Sequence, residues 1–219
     1  MAQKAEIVTL DGLNTRDSNG VADLHVEFLP DSPVGLFGDA FLRKFFYGTL
    51  VQSGLIGVTA CMVDGKAVAF ISYTTEPLGF MVKGIKRYPF RLSWIMLWSV
   101  IRKPSTLGQI IFVLRTMMDR STDSKDGGIP EGRGEIISLV ADPAFQRVKP
   151  EGGSDRITPR LFAEAMDYYR AQGSDSFYLL VQPENKASNL FCSIMGCEFQ
   201  KIVIGGKTTH RYVYHIPPA

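Results

Sequence analysis

Apolar and polar residues follow two different periods along this chain. Compact apolar runs, bounded by glycine, proline or acidic residues, predict seven β-strands, because strands with one or two buried faces show this pattern. Apolar residues spaced three and four apart predict six amphipathic helices. The strands are expected at 4–10, 57–63, 66–74, 135–143, 176–181, 198–204 and 210–216, and the helices at 17–28, 37–52, 92–101, 107–118, from 157 to at least 169, and 182–195.

The turns support a single domain. Asp64-Gly65, between two strand-like runs, is the strongest short signal for a β-hairpin. Asp17 or Ser18 is the expected N-cap of the first helix. The element order is β-α-α-β-β, an insertion at about 77–134, and then β-α-β-α-β-β. It predicts one mixed α/β (α+β) domain over 1–219, with a mostly antiparallel sheet flanked by helices and one parallel step.

The stretch from Glu135 to Leu161 combines a strand, a loop and a helix start. The loop contains Gly152, Gly153 and Ser154, and the helix begins near Ile157. Thr158 is the expected N-cap, with Pro159 at the first helical position. Free amides and the helix dipole favour an anion at such a place, so a phosphate-bearing ligand is the first hypothesis. The alternative is one of the many strand–loop–helix units that bind nothing.

The insertion has an unusual composition. Residues 77–118 carry seven lysines and arginines and no acidic residue. The apolar segments 92–101 and 107–118 are too short to span a membrane, which needs about 18 consecutive apolar residues. Three interpretations remain open: a pair of helices packed on the core with solvated basic ends, an amphipathic element contacting anionic lipid, or a lid over an apolar or anionic ligand.

Composition narrows the function classes. A net charge of +2 gives no support for nucleic-acid binding. The three cysteines, Cys61, Cys192 and Cys197, lie in apolar contexts and are odd in number, which favours reduced thiols in a cytoplasmic protein. Cys192 and Cys197 have no partners at metal-ligand spacing, so no metal site is expected. The N-terminus lacks the pattern of a signal peptide.

Two motifs resemble the GNAT superfamily of acyl-CoA-dependent N-acetyltransferases. The run 135–147, Glu-Ile-Ile-Ser-Leu-Val-Ala-Asp-Pro-Ala-Phe-Gln-Arg, is similar to the family's fourth strand and the opening of its acetyl-CoA motif. The run 185–199, beginning Asn-Lys-Ala-Ser-Asn, resembles its "N-x-x-A-x-x-x-Y-x-x-x-G-F" helix. The order of elements along the chain is similar to that of the family over the whole chain except roughly 77–134.

This resemblance implies roles for named positions. The backbone at the fourth strand would bind the pantetheine arm and polarise the thioester carbonyl, as an oxyanion hole does. Glu135 matches a position where some members place a general base, which deprotonates the attacking amine; the alternative is an exposed strand-end carboxylate. The implied cofactor-binding residues are Leu139, Val140 and Ala141 on the strand, Arg147, Gly152, Gly153, Ser154, Arg156, Ile157 and Thr158 at the pyrophosphate loop and helix start, and Asn185 beside the cofactor arm.

Two departures from the family pattern stand out. The phosphate loop is longer than usual, with its glycines several residues before the helix start. Cys192 replaces the tyrosine that commonly protonates the departing CoA thiolate. A cysteine thiol can donate that proton, since its ordinary pKa is about 8.5; the alternative is a core cysteine.

The sequence therefore predicts an N-acyltransferase that moves an acetyl or longer acyl group from acetyl-CoA or a longer acyl-CoA to a small-molecule primary amine. One alternative is a long-chain N-acyl amino acid synthase with an acyl carrier protein as donor, whose acidic surface would suit the basic insertion. Another is an inactive GNAT-like module that binds a ligand or a membrane. The expected location is the cytoplasm, with peripheral contact to the inner membrane as a variant.

Overall fold

Strand boundaries in the computed structural model follow the apolar runs closely. The structure describes residues 5–77, 79–102, 108, 134–150, 156–204 and 206–217. The prediction of two strands around Asp64-Gly65 is confirmed, since both turn residues have positive φ and Val63 pairs with Lys66. The seven strands are β1 (Ala5–Thr9), β2 (Gly57–Val63), β3 (Lys66–Thr74), β4 (Gly134–Ala141), β5 (Ser176–Val181), β6 (Glu198–Ile204) and β7 (Lys207–His215).

Six helices accompany these strands in the described residues. Helix α2 is an α-helical turn that runs directly into a π-helical stretch. The helices are α1 (Thr15–Phe28), α2 (Asp39–Phe41 followed by Leu42–Leu50), α3 (Phe80–Arg87), α4 (Pro89–Arg102), α5 (Ile157–Ala171) and α6 (Lys186–Ile194), with 3-10 turns at Gly35–Phe37 and Pro143–Phe145.

The strands form one mixed sheet in the order β1-β2-β3-β4-β5-β7-β6. Neighbours are antiparallel except β4 and β5, which are parallel and are joined through α5. This confirms the predicted mostly antiparallel sheet with a parallel step at the central crossover. Strand β4 carries a β-bulge at Ile137, because Ser72 pairs with Ser138 while the next residue, Tyr73, pairs with Ile136.

Hydrophobic cores cover both faces of the sheet. One face packs against α1 and α2 through an aromatic cluster that includes Phe41, Phe45, Phe46 and Tyr47. The other packs against α5 and α6. Residues 45–47 are consecutive and all fully buried. The π-helical winding of α2 changes the angle between successive side chains and so turns all three rings inward, which the 3.6-residue period did not predict.

Helix starts differ from the sequence expectation. Helix α1 begins at Thr15, and Asn14 is its N-cap, with its side chain accepting hydrogen bonds from the amides of Arg16 and Asp17. Neither Asp17 nor Ser18 is therefore the cap. An Asn side chain placed just before the helix reaches the free first-turn amides as well as Asp or Ser would.

Part of the insertion is helical, as expected. The predicted helix at 92–101 is α4, which begins three residues earlier, and α3 was not predicted. Helix α4 packs inward through Ile95, while Trp94 and Trp98 are 69% and 44% exposed. The helix predicted at 107–118 and the connection predicted at 121–134 lie outside the described residues, apart from Gly108 and Gly134.

Candidate functional site

A wedge opens in the sheet between the two parallel strands. The register of β4 with β5 covers only three residue pairs, Gly134–Phe177, Glu135–Tyr178 and Ile136–Leu179. Beyond Ile136, β4 continues to pair with β3 as far as Ala141. Strand β5 continues to pair with β7 as far as Val181. The two strands therefore separate at their carboxyl ends, and one edge of β4 is left facing an opening. We call this opening the β4–β5 split.

Strand alternation decides which amides face the split. The amide of Asp142 donates to the carbonyl of Val68 at 2.9 Å, so Asp142 points its backbone groups toward β3. In an antiparallel pair, alternate residues have this orientation. Val140 therefore points its N–H and C=O toward β3, whereas Leu139 and Ala141 point theirs into the split. Of the three strand residues expected to bind a ligand through the backbone, two have the necessary orientation.

The start of α5 lies beyond the carboxyl end of β4. Its N-cap is Arg156, in an extended conformation and without a side-chain cap hydrogen bond. The prediction of Thr158 as N-cap is wrong, since Thr158 lies in the first turn. Ile157 is fully buried and already helical, and Pro159 is tolerated at the third position because no intrahelical bond is needed there. Among the described residues, no side chain caps the amides of Ile157 and Thr158 at the positive end of the helix dipole.

Two exposed arginines precede α5 in the sequence. Arg147 and Arg156 are both exposed, and the first turn of α5 carries no acidic residue. Arg160 is paired with Glu164 at 2.7 Å. Gly152, Gly153 and Ser154 lie outside the described residues, so their expected role in the loop stays a prediction. The described part of the site suits an anionic group next to the split.

Glu135 lies at the opposite end of β4, where the parallel strands still pair. It is only 6% exposed, so the alternative interpretation as an exposed strand-end carboxylate is wrong. The hydroxyl of Tyr178 donates to Oε2 of Glu135 at 3.3 Å. Burial raises the pKa of Tyr169, and the negative charge of Glu135 raises it further. Tyr178 was missed at the sequence level because only the parallel register places it beside Glu135.

Tyr169 depends on a glycine at the start of β4. A Cβ on Gly134 would lie 2.0 Å from Cε1 of the Tyr169 ring. The ring therefore packs directly on the strand backbone, and its hydroxyl donates to the carbonyl of Thr74 at 3.2 Å. The absence of a side chain at Gly134 thus allows α5 to pack closely against β3 and β4, beside Glu135.

Asn185 caps helix α6 on the far side of the split. Its side-chain oxygen accepts from the amide of Ser188 at 3.1 Å. Asn189, one turn later, connects the helix to β7, because its Oδ1 lies 2.9 Å from the hydroxyl of Tyr212 and 2.7 Å from Nδ1 of His210. The expected contact of Asn185 with a cofactor arm stays a prediction.

Cys192 is fully buried in the core that covers the α5 face. A hydrogen bond with Cys197, together with burial, raises the pKa of its thiol well above the ordinary range. All three cysteines are free thiols, as the sequence predicted. The proton-donor role of Cys192 stays a prediction, and the burial gives weight to the core alternative.

The described ranges contain neither a membrane-spanning helix nor a cluster of metal-ligating side chains. Their helices include none with the length and apolarity needed to cross a membrane. In the same part of the chain, no three His, Cys, Asp or Glu side chains come together as a metal site would require.

The chain resembles known proteins in structure and not in sequence. No family model matches it, and no curated protein matches its sequence. Aminoglycoside 6'-acetyltransferase type Ii aligns with a TM-score of 0.56 and 12% identity over 97% of this chain and 98% of the other. NAA60 of Arabidopsis thaliana in complex with acetyl-CoA aligns with a TM-score of 0.54 and 15% identity, over 97% of this chain and 99% of the other.

A third structure, PaiA N-acetyltransferase of Thermoplasma acidophilum in complex with coenzyme A, aligns at a TM-score of 0.51 and 14% identity, over 95% of this chain and 99% of the other. At these identities the likeness establishes a common fold, and the fold predicted from the two sequence motifs is confirmed.

Proposed function

We propose that this chain, which has the fold of the GNAT acetyltransferases, is an acyl-CoA-dependent N-acyltransferase acting on a primary amine. The observation that carries the proposal is the β4–β5 split, with the backbone groups of Leu139 and Ala141 aimed into it. The start of α5 lies at the same end of the sheet. A donor with an extended amide-containing arm and a pyrophosphate matches this combination of free strand edge and uncapped helix start.

In the proposed arrangement the pantetheine arm adds to the free edge of β4 as an extra strand would. Its amides exchange hydrogen bonds with Leu139 and Ala141, and the pyrophosphate meets the amides of Ile157 and Thr158. Arg147, Arg156 and the loop glycines Gly152 and Gly153 supply further contacts, and Asn185 lies near the arm.

The reaction is a direct transfer. The amine must lose a proton before its nitrogen attacks, and Glu135 is the proposed base, acting directly or through water. The nitrogen forms a bond to the thioester carbonyl carbon, and the oxyanion that results is stabilised by β4 amides. Collapse of this intermediate breaks the C–S bond, the nitrogen gives up its second proton and the departing thiolate takes up one, which gives an amide and free CoA. Cys192 is the sequence-based candidate for that proton.

Acetyl-CoA is the simplest donor for this geometry. NAA60 of Arabidopsis thaliana was solved in complex with acetyl-CoA, the aminoglycoside 6'-acetyltransferase carries acetyl transfer in its name, and each aligns with nearly the whole of this chain. A longer acyl-CoA, or an acyl carrier protein with the same pantetheine arm, is the second candidate. It is favoured by the basic and apolar composition of 77–118.

Thermal unfolding with added ligands tests the donor site. A ligand that binds only the folded state raises the midpoint of unfolding. We expect free CoA and acetyl-CoA to raise it, and pantetheine, which lacks the pyrophosphate and the nucleotide, to raise it less. A larger shift with lauroyl-CoA than with acetyl-CoA would favour the longer acyl group. A lauryl ester without the CoA moiety controls for nonspecific binding of the acyl chain.

Release of free thiol from acetyl-CoA in the presence of a panel of primary amines then tests the reaction. CoA binding without thiol release for any amine would favour the inactive binding module. No stabilisation by any CoA species, in a protein with a cooperative unfolding transition, would contradict the proposed donor site. An acylated carrier protein would then be assayed in place of CoA, and failure of that donor as well would overturn the enzyme proposal.

A further inference from the structure

Helix α4 exposes a continuous apolar face. Five large apolar side chains are 44–90% exposed, and their spacing along the helix places them on one side. We call them the α4 face: Phe90, Trp94, Leu97, Trp98 and Ile101. Soluble proteins rarely expose a contiguous group of this size unless it serves an interaction.

The α4 face is separate from the surface that packs against the protein. Ile95 is 5% exposed, and Leu92 and Met96 pack against the core cluster formed with α1 and α2. The helix therefore has an inner apolar side that anchors it and an outer apolar side that is exposed. Among the described helices, α4 has the larger group of exposed apolar residues; α6 exposes Leu190 and Ile194.

Basic residues are concentrated on α3 and at the start of α4. Lys83, Lys86, Arg87 and Arg91 are all exposed on α3 and the first turns of α4. Lys83 forms an ion pair, at 2.6 Å, with Glu76, and Glu76 lies just before α3. From residue 77 to residue 118 the sequence contains no acidic residue. A surface that combines exposed aromatic rings with a one-sided positive charge is complementary to an anionic lipid headgroup region.

A cleft between α2 and α4 continues this surface. It has a volume of about 200 Å³ and is lined by Ala40, Lys44, Trp94, Ile95 and Trp98. Its lining is apolar apart from one lysine, whose charged end is exposed. Tryptophan and lysine side chains occupy this position at membrane interfaces, because each has an apolar body and a polar end that stays in water.

We propose that α3 and α4 bind the surface of an anionic membrane, with the α4 face lying in the headgroup region and the basic residues against lipid phosphates. The helices lie in the plane of the interface and do not span the bilayer. This contact is independent of acyl transfer.

Intrinsic fluorescence offers a direct test. The chain contains two tryptophans, Trp94 and Trp98, and both belong to the α4 face. We expect the emission of the free protein to be typical of tryptophan in water. Vesicles of phosphatidylcholine with phosphatidylglycerol should shift it to shorter wavelength and protect it from a soluble quencher. Affinity for these vesicles should exceed that for pure phosphatidylcholine by a factor on the order of ten or more, and should fall with added salt.

Matched variants separate this surface from general stickiness. Phe90→Ser/Ile101→Ser keeps both tryptophans and should weaken vesicle binding at least about tenfold. Leu190→Ser/Ile194→Ser, which removes two exposed apolar residues from α6, should leave binding unchanged. Lys86→Glu/Arg91→Glu should abolish the preference for anionic vesicles, whereas Lys201→Glu/Lys207→Glu, at exposed sites on β6 and β7, should preserve it.

Three results would overturn the proposal. One is emission that is already shifted and protected in the free protein, which would mean that another part of the chain or a second copy covers the α4 face; light scattering would identify the second copy. Another is equal binding to neutral and anionic vesicles. The third is that the α6 or β6–β7 control variants lose binding to the vesicles, whereas the α4 variants keep it.

Discussion

The imidazole of His25 is completely buried, and its Nδ1 lies 2.6 Å from the hydroxyl of Tyr47. On the other side of the ring, Nε2 lies 2.6 Å from Oγ of Ser32, which also accepts from the amide of Gly35. His25 thus connects α1, α2 and the loop between them. A neutral imidazole satisfies both contacts with one donor and one acceptor nitrogen.

Stability should depend on pH through this histidine. Burial lowers the pKa of His25 from 6.5 to about 4 in the folded protein. As the pH falls, the unfolded chain binds the proton before the folded protein does. The stabilising contribution of neutral His25 is therefore complete above pH 6.5 and declines as the pH falls toward 4. The expected loss in free energy of unfolding is about 3 kcal/mol over this window. Urea unfolding measured across the window checks it.

His25→Gln should flatten this dependence, because the replacement does not titrate. His215→Gln serves as the control, since that side chain is 60% exposed and should leave the slope as it is. Identical slopes for the wild-type protein and His25→Gln would show that the acid sensitivity has another source.

Replacement of Glu135 should affect catalysis more than binding. Glu135→Gln keeps an acceptor for the hydroxyl of Tyr178 and removes the base. We expect turnover to fall by a factor of about 10² to 10⁴, with stabilisation by CoA retained. Tyr178→Phe removes only the hydrogen bond and should reduce turnover much less. Thiol-release assays at several pH values check both variants, and full activity of Glu135→Gln would exclude Glu135 as the base.

Backbone orientation in β4 can be tested with proline. Ala141→Pro removes an N–H that faces the split, so the protein should fold while its affinity for CoA falls about tenfold or more. Val140→Pro removes an N–H that faces β3 and should destabilise the sheet by about 3 kcal/mol. Calorimetric titration with CoA and urea unfolding measure the two effects. The opposite outcome, with Ala141→Pro unfolded and Val140→Pro intact, would reverse the assigned orientation.

Cys192→Ala distinguishes a structural from a catalytic thiol. Because the side chain is enclosed in the core, we expect the variant to lose about 1 to 2 kcal/mol of stability and to keep its turnover per folded molecule. Cys61→Ala, at another fully buried cysteine, should behave in the same way. A selective loss of turnover in Cys192→Ala, strongest at high pH, would instead support the predicted role as proton donor.

Local patterns in the sequence were sufficient for most of the secondary structure. The hairpin at Asp64-Gly65 and the runs that became β2, β3 and β5 could be located because periodicity and turn chemistry depend on neighbouring residues. Cap positions were less accurate. Asn14 and Asp17 are both good cap residues, and the choice between them depends on how the chain enters the helix.

The sequence by itself determined the order of elements outside the insertion and the two motifs that indicated the fold. The tertiary structure decided the site. Strand pairing places Tyr178 beside Glu135, although the two are 43 positions apart, and the early end of the β4–β5 register opens the split. Packing also decided that Ile95 faces inward and Trp94 outward. The physical reason is that each of these relationships depends on contacts between distant segments, which local periodicity does not specify.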